Sequence, residues 1–263
     1  MPFQAVAAQR LYEQVAGQVT ELVARGEFKP GDRLPPERDL AKMLAVSRPT
    51  VREAMIALEI AGLVEVRGGA GTFVTDKAKL VSGTSINGTD IAVHRLFEGA
   101  GSSPLELVAA RRTIEPEVAA LAAQLATPNE IAAIAETVAM IGAAQDTPSH
   151  RSADHKFHIR IGLASHNSVL TAIVDECWAE MYSPMFERMG AITGLIVARC
   201  SPQQRDTTVA EHEAVYHAIA AHDAAAARAA MDAHLAGVEA ILIGGDAAET
   251  ELTRRERRAG AAA

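Results

Sequence analysis

Two groups of side chains in this sequence have the types and spacings that chemistry requires. In the C-terminal half, Asp154 and His158 stand four residues apart within SADHKFHIRIGLAS. That separation projects both from one face of a helix. His212 shares a helical stripe with Val209, Val215 and Ile219, and His234 shares one with Met231 and Val238. Helical periodicity therefore turns both rings toward an apolar interior. Three imidazoles and one carboxylate from three helices offer the nitrogen and oxygen donors that suit Zn²⁺, Ni²⁺, Mn²⁺ or a similar divalent ion, with space for an exchangeable ligand. Two other readings stay open on spacing alone: histidines satisfied within a core, and an Asp–His pair that only stabilises its helix. A metal held this way could also activate water in an enzyme. No general base sits in an HExxH-like position, however, and Glu211 is the nearest candidate.

The second group is basic. Arg48, Thr50 and Arg52 occupy the first turn and a half of a helix that Ser47 is placed to cap, while Val51 and Met55 face inward. A recognition helix reads base edges from its N-terminal end. There Arg bonds guanine with two donors, and Thr meets a thymine methyl or a phosphate. Arg38, at the start of the preceding helix, is placed for a backbone phosphate. Arg67, Gly68 and Gly69 form a tip slim enough for a minor groove. Each arginine alone could be a solvated surface charge; it is their convergence that points to duplex DNA.

The elements that must position these groups follow from periodicity and breakers. Leu11, Val15, Val19, Leu22 and Val23 mark a helix over 9–25. A loop rich in Gly and Pro follows, then helices over 36–45 and 48–61, where Pro36 and Pro49 suit first helical turns. LVEVR and TFVT around GGAG read as a hairpin. Two helices, a turn and a hairpin make a winged helix-turn-helix over residues 1–76. Residues 77–89 read as a linker. From 90 to 245 only helical patterns occur: 90–98, 104–125, 128–144, 149–165, 168–189, 207–222 and 223–243. The expected fold class is mainly α, with an N-terminal winged helix-turn-helix carrying a small β hairpin and a C-terminal all-α bundle. Residues 246–263 read as a disordered tail.

Composition excludes several classes. The chain has 263 residues, 49% hydrophobic and 22% charged, enough for packed cores and not a disordered polymer. Only 4% of residues are aromatic and alanine is abundant, which favours helix over sheet. Two cysteines, Cys177 and Cys200, exclude a disulfide scaffold and a Cys-rich zinc ribbon. Neither a secretory signal pattern nor a membrane-length apolar run is evident, so a cytoplasmic location is expected. The net charge of −8 does not oppose DNA binding, because residues 1–77 hold ten basic and ten acidic side chains and the excess acid lies beyond them.

The stretch from LYEQVAG to GAGTFVT, with PGDRLPPERDLA, VSRPTVREAMIALE and GLVEVRGGAGTFV as its most specific parts, resembles the winged-helix domain of the GntR family. The resemblance implies operator contacts at Arg38, Arg48, Thr50, Arg52 and Gly69, with Arg33 at a position that is commonly basic. Further on, LVAARRTIEPEVAALAA, DHKFHIRIGLAS and EHEAVYHAIAAHDAAAARAAMDAHL resemble the FCD effector domain of the FadR subfamily. That resemblance implies a divalent metal on Asp154, His158, His212 and His234, and an organic-acid carboxylate paired with Arg111, with Arg112 as the rival for the pocket. Several segments, FHIRIGLASHNSVLTAIVDECW among them, are similar to the hexuronate-operon repressors of that subfamily, which points to a sugar acid such as a hexuronate. The expectation is a homodimeric regulator of operator DNA, of a kind most often a repressor, and not an enzyme. A constitutive architectural DNA binder, whose operator affinity no small molecule alters, is the alternative.

Overall fold

The computed structural model describes residues 10–67, 69–80, 99–195 and 202–244. The helix expected over 90–98, most of the expected linker and the tail lie outside the described residues. The chain divides into two compact units. One runs to Ser103 and includes Ser183–Met189, and the other comprises Pro104–Tyr182 and Gly190–Glu249.

In the first unit, α1 (Leu11–Ala24) buries Tyr12, Val15, Ala16, Val19 and Val23 along one stripe, and α1 packs on the helix Arg48–Ile60. α2 (Glu37–Leu44) ends at Ala45 in the left-handed conformation, with φ 54°. This reversal separates α2 from α3 (Arg48–Ile60) by a tight turn. Ser47 caps α3: its Oγ accepts from the Thr50 backbone N–H at 3.2 Å, and Pro49 occupies the first turn, where no intrahelical N–H bond is lost. β1 (Val64–Arg67) and β2 (Gly71–Val74) pair antiparallel, with Val64 opposite Val74 and Arg67 opposite Gly71. Gly69 (φ 70°) and Gly71 (φ 115°) take the positive φ values that the turn needs. Residues Asp76–Leu80 form a 3-10 turn where the sequence reads as the start of a linker. The turn is held because Ala78 is buried and the Lys77 ammonium donates to the Ala61 carbonyl at 3.0 Å.

The second unit is helical: α4 (Pro104–Leu125), α5 (Pro128–Ala143), α6 (Thr147–Ala164), α7 (Ser168–Glu180), the end of α8 (Pro184–Thr193), α9 (Pro202–Ala220) and α10 (Ala224–Ile243). α10 packs along α4, with Ala119, Ala120, Ala123 and Ala227 all buried, since small side chains let helix axes approach. Arg112 on α4 ties to Asp232 at 2.9 Å and Glu239 at 2.5 Å on α10. The single helix expected over 168–189 is two helices. Pro184 has no N–H to continue the ladder and disfavours helical dihedrals at Ser183, so the chain turns at 181–183 and restarts. No described helix is long and apolar enough to cross a membrane.

Caps do much to set where these helices begin. Thr127 and Glu130 form a reciprocal capping box on α5. Thr127→Ala is expected to lower stability by about 1 kcal/mol, read as a shift of the urea midpoint with unchanged slope. The Thr127 backbone N–H and hydroxyl, with a smaller contribution from His166, hold the Glu130 carboxyl below its ordinary 4.5. A carboxyl lowered in the folded state stabilises above its unfolded pKa, and that gain is lost as pH falls through the folded one. The gap between wild type and Thr127→Ala should therefore narrow on acidification.

Candidate functional site

Asp154 and His158 project from one face of α6, His212 from α9 and His234 from α10, and all four are buried. One ligand-type atom from each lies within 4.8 Å of all the others. The His212 Nε2 is 2.9 Å from Asp154 Oδ1, and the His158 Nε2 is 3.4 Å from the same oxygen. The His212 and His234 ring centroids are 4.5 Å apart. Phe157, one residue before His158, meets the His212 ring edge-on at 4.8 Å and excludes solvent on that side.

The far nitrogen of each ring is already engaged. The Nδ1 of His212 lies 2.6 Å from the Thr208 carbonyl, one helical turn back. That of His234 lies 3.2 Å from a Glu211 carboxylate oxygen, and that of His158 bonds the Glu115 carboxylate. An acceptor at Nδ1 keeps a proton there, so once a cation displaces the Nε2 protons that His158 and His212 share with Asp154, the Nε2 lone pairs are free to bind it; metal-binding histidines are oriented in this way. The donor set and its supports fit a divalent ion with nitrogen and oxygen ligands. Glu211, the one candidate base, is instead a hydrogen-bond partner of His234.

Electrostatics at the cluster are strongly coupled. Burial alone would raise the Asp154 carboxyl, but hydrogen bonds from His158 and His212 hold it well below the usual carboxylate range. Burial would likewise lower His158, yet the Glu115 charge and the bonds to Asp154 and Glu115 carry it above its ordinary 6.5. Glu115 itself, against the same burial, is held at about 2 by the Arg111 guanidinium and His158.

Arg111 and Arg112, adjacent in sequence, part company in the fold. Arg112 faces α10, bonded to Asp232 and Glu239. Arg111 is buried beside the histidines: its Nε bonds Glu115 at 2.5 Å, Nη1 lies 2.9 Å from the Met181 sulfur, and Nη2 is 3.5 Å from His158. Its guanidinium carbon sits 4.7 Å from the ring centroid of Trp178. The sequence reading missed Glu115 and Trp178. Glu115 was legible as the i+4 partner of Arg111; Trp178 carried no local signal, because α7 reaches this place only through tertiary packing.

In the first unit, the basic candidates fall into three settings. Arg33, Arg38 and Gly69 are exposed; the Arg38 side chain is 71% accessible with only a 3.6 Å approach to Asp39. Arg48 is half-buried at the start of α3. Thr50 and Arg52 are buried. The Thr50 hydroxyl shares a 2.7 Å hydrogen bond with Ser47, and Arg52, 2% accessible, pairs with Glu37 at 3.2 Å. Arg67, paired with Glu65 at 3.0 Å and lying over Phe73, flanks the wing.

A winged helix-turn-helix joined to a helical bundle with an ionisable interior defines a DNA-binding transcriptional regulator. Residues 11–74 match the profile of the bacterial regulatory proteins of the gntR family, and residues 106–237 match the FCD domain. The chain belongs to the GntR family, with an FCD domain as its second part. It is 35% identical over 243 residues to the Uxu operon transcriptional regulator of Escherichia coli (strain K12), covering 91% of this chain and 89% of that protein. It is 31% identical over 236 residues to the Exu regulon transcriptional regulator of the same strain, covering 89% and 84%. Among solved structures, Streptococcus agalactiae GntR shares 25% identity with a TM-score of 0.41, covering 87% of this chain and 98% of that one. Both Escherichia coli relatives are named as transcriptional regulators, and the metalloenzyme alternative is not favoured.

Proposed function

We propose that this regulator senses a small organic acid through a divalent metal held by Asp154, His158, His212 and His234. The observation that carries the reading is the engagement of all three Nδ1 atoms, with the four donors gathered in one buried cluster. A bound Zn²⁺, Ni²⁺ or Mn²⁺ would supply an electrophilic anchor for a carboxylate. Arg111, beside His158, would pair with the same carboxylate, and a hexuronate or related sugar acid is the favoured effector. By preferring one packing of the bundle, the acid would change operator affinity by that preference, about 1–3 kcal/mol of coupling.

At the DNA, a homodimer of this cytoplasmic regulator would set two α3 helices against a pseudo-palindrome and act as a repressor. Residues 1–76 would bind DNA, 77–89 would link, and 90–245 would sense and dimerise, followed by the 246–263 tail. Arg48 would read bases; Arg33, Arg38, Thr50 and Gly69 would position the backbone. Arg52 would reach DNA by exchanging Glu37 for an acceptor on the duplex.

The test is anisotropy of a labelled promoter fragment against scrambled duplex, with metal-loaded protein and with or without D-glucuronate or D-galacturonate. Specific binding relieved by the acid is expected; binding indifferent to every acid tried would favour the architectural alternative. In the same assay Arg48→Ala should weaken specific binding by about 1–3 kcal/mol, and equal loss on scrambled DNA would make Arg48 a phosphate contact.

A further inference from the structure

We infer that Trp178 reads the effector directly: its indole N–H donates to an oxygen of the bound acid other than those of the carboxylate. This rests on the effector reading above and narrows it to acids with a second oxygen function, hydroxy acids and sugar acids rather than plain carboxylates.

Trp178, on α7, is fully buried, and its Nε1 has no hydrogen-bond acceptor among the described residues. A buried indole N–H ordinarily finds a partner, because leaving a desolvated donor unpaired is unfavourable. The ring is held by its neighbours: His155 stacks on it at 5.0 Å and 15°, the Arg111 guanidinium carbon is 4.7 Å from its centroid, and the His158 ring is 5.3 Å away. The nearby protein acceptors are committed elsewhere. Glu115 serves Arg111 and His158, and Asp154 serves His158 and His212. If only packing were needed here, phenylalanine would supply the ring without the orphaned donor.

An anion between Arg111 and the cation brings oxygen acceptors into this neighbourhood. The guanidinium and the metal would engage its carboxylate, and the indole N–H would take a hydroxyl or ring oxygen of the same acid. A water on the N–H is the competing account, and the test separates the two.

Trp178→Phe keeps an aromatic ring and removes the donor. Metal-loaded wild type and variant would be titrated calorimetrically with D-glucuronate, D-galacturonate, D-gluconate and acetate. The variant should keep its metal content and melting cooperativity, lose about tenfold or more in affinity for the hydroxylated acids, and bind acetate as wild type does. The chain has one tryptophan, so wild-type emission should shift in parallel with the heat as the sugar acid saturates. Should the phenylalanine variant fail to fold, biosynthetic replacement by benzothienylalanine keeps the bicyclic shape, exchanges N–H for sulfur and reads the same loss. Undiminished affinity for the hydroxylated acids overturns the inference and leaves the effector reading intact. Equal loss for acetate also overturns it, assigning the ring a packing role. Absence of saturable binding by any acid to wild type overturns the effector reading and this inference with it.

Discussion

Glu115→Ala is expected to destabilise the helical unit by about 3–5 kcal/mol, the effect of stripping one partner from a buried ion pair. Glu115 lies between two groups that depend on it: its carboxylate binds the Arg111 guanidinium at 2.5 Å and also bonds His158. Without it, Arg111 keeps a thioether, an aromatic face and the His158 ring as close partners, none of them an anion. A guanidinium cannot shed its proton to escape burial. Urea unfolding of metal-free protein measures the loss. Glu115→Gln, which keeps the volume and one acceptor, should lose less. The double variant Arg111→Met/Glu115→Leu should recover much of the difference, because apolar replacement of a whole buried pair is often neutral. A loss under 1 kcal/mol for Glu115→Ala would mean that Arg111 finds water without its partner, and the interior would be wetter than its burial indicates.

Combined His212→Ala and His234→Ala should abolish metal binding. The pair removes two of four donors, each on a different helix, and a remaining Asp–His pair on one helix holds a divalent ion poorly. Elemental analysis of protein purified without chelator should fall from near-stoichiometric metal to trace. Saturating metal should also stop raising the unfolding temperature. For wild type that linkage amounts to about 4 kcal/mol at a thousandfold excess over Kd; for the double variant it should vanish. Unchanged metal content in the double variant would reject the ligand assignment. A wild type that binds no metal under any condition would remove the metal from the sensing mechanism altogether.

Both expectations depend on residues that differ in how visible they are from sequence. Asp154 and His158 announce themselves by an i, i+4 spacing inside a strongly helical pattern, and His212 and His234 by lying on apolar stripes. Periodicity reports which face of a helix is buried, so each inward orientation could be read separately. It does not report which buried faces meet, and a core histidine gives the same signal as a ligand. The cap Ser47 was equally local, since capping involves atoms within a few residues of one another. The break at Pro184 was local as well, yet the apolar pattern on both sides of it reads as one continuous helix over 168–189.

By itself the sequence determined the class of fold, the winged helix-turn-helix and its GntR resemblance, and the inward faces of the helices, because helix formation, capping and turn chemistry are decided by near neighbours along the chain. Tertiary structure alone decided that four donors from three helices share one buried cluster, that Arg111 turns inward while its neighbour Arg112 bridges α4 to α10, and that Arg52 is drawn down to Glu37. It also brought Glu115 and Trp178 to the cluster. The reason is geometric: adjacent helical residues diverge by about 100° around the axis, so side chains next to each other in sequence enter different surroundings, and only the packing of distant helices determines which charges and donors they find there.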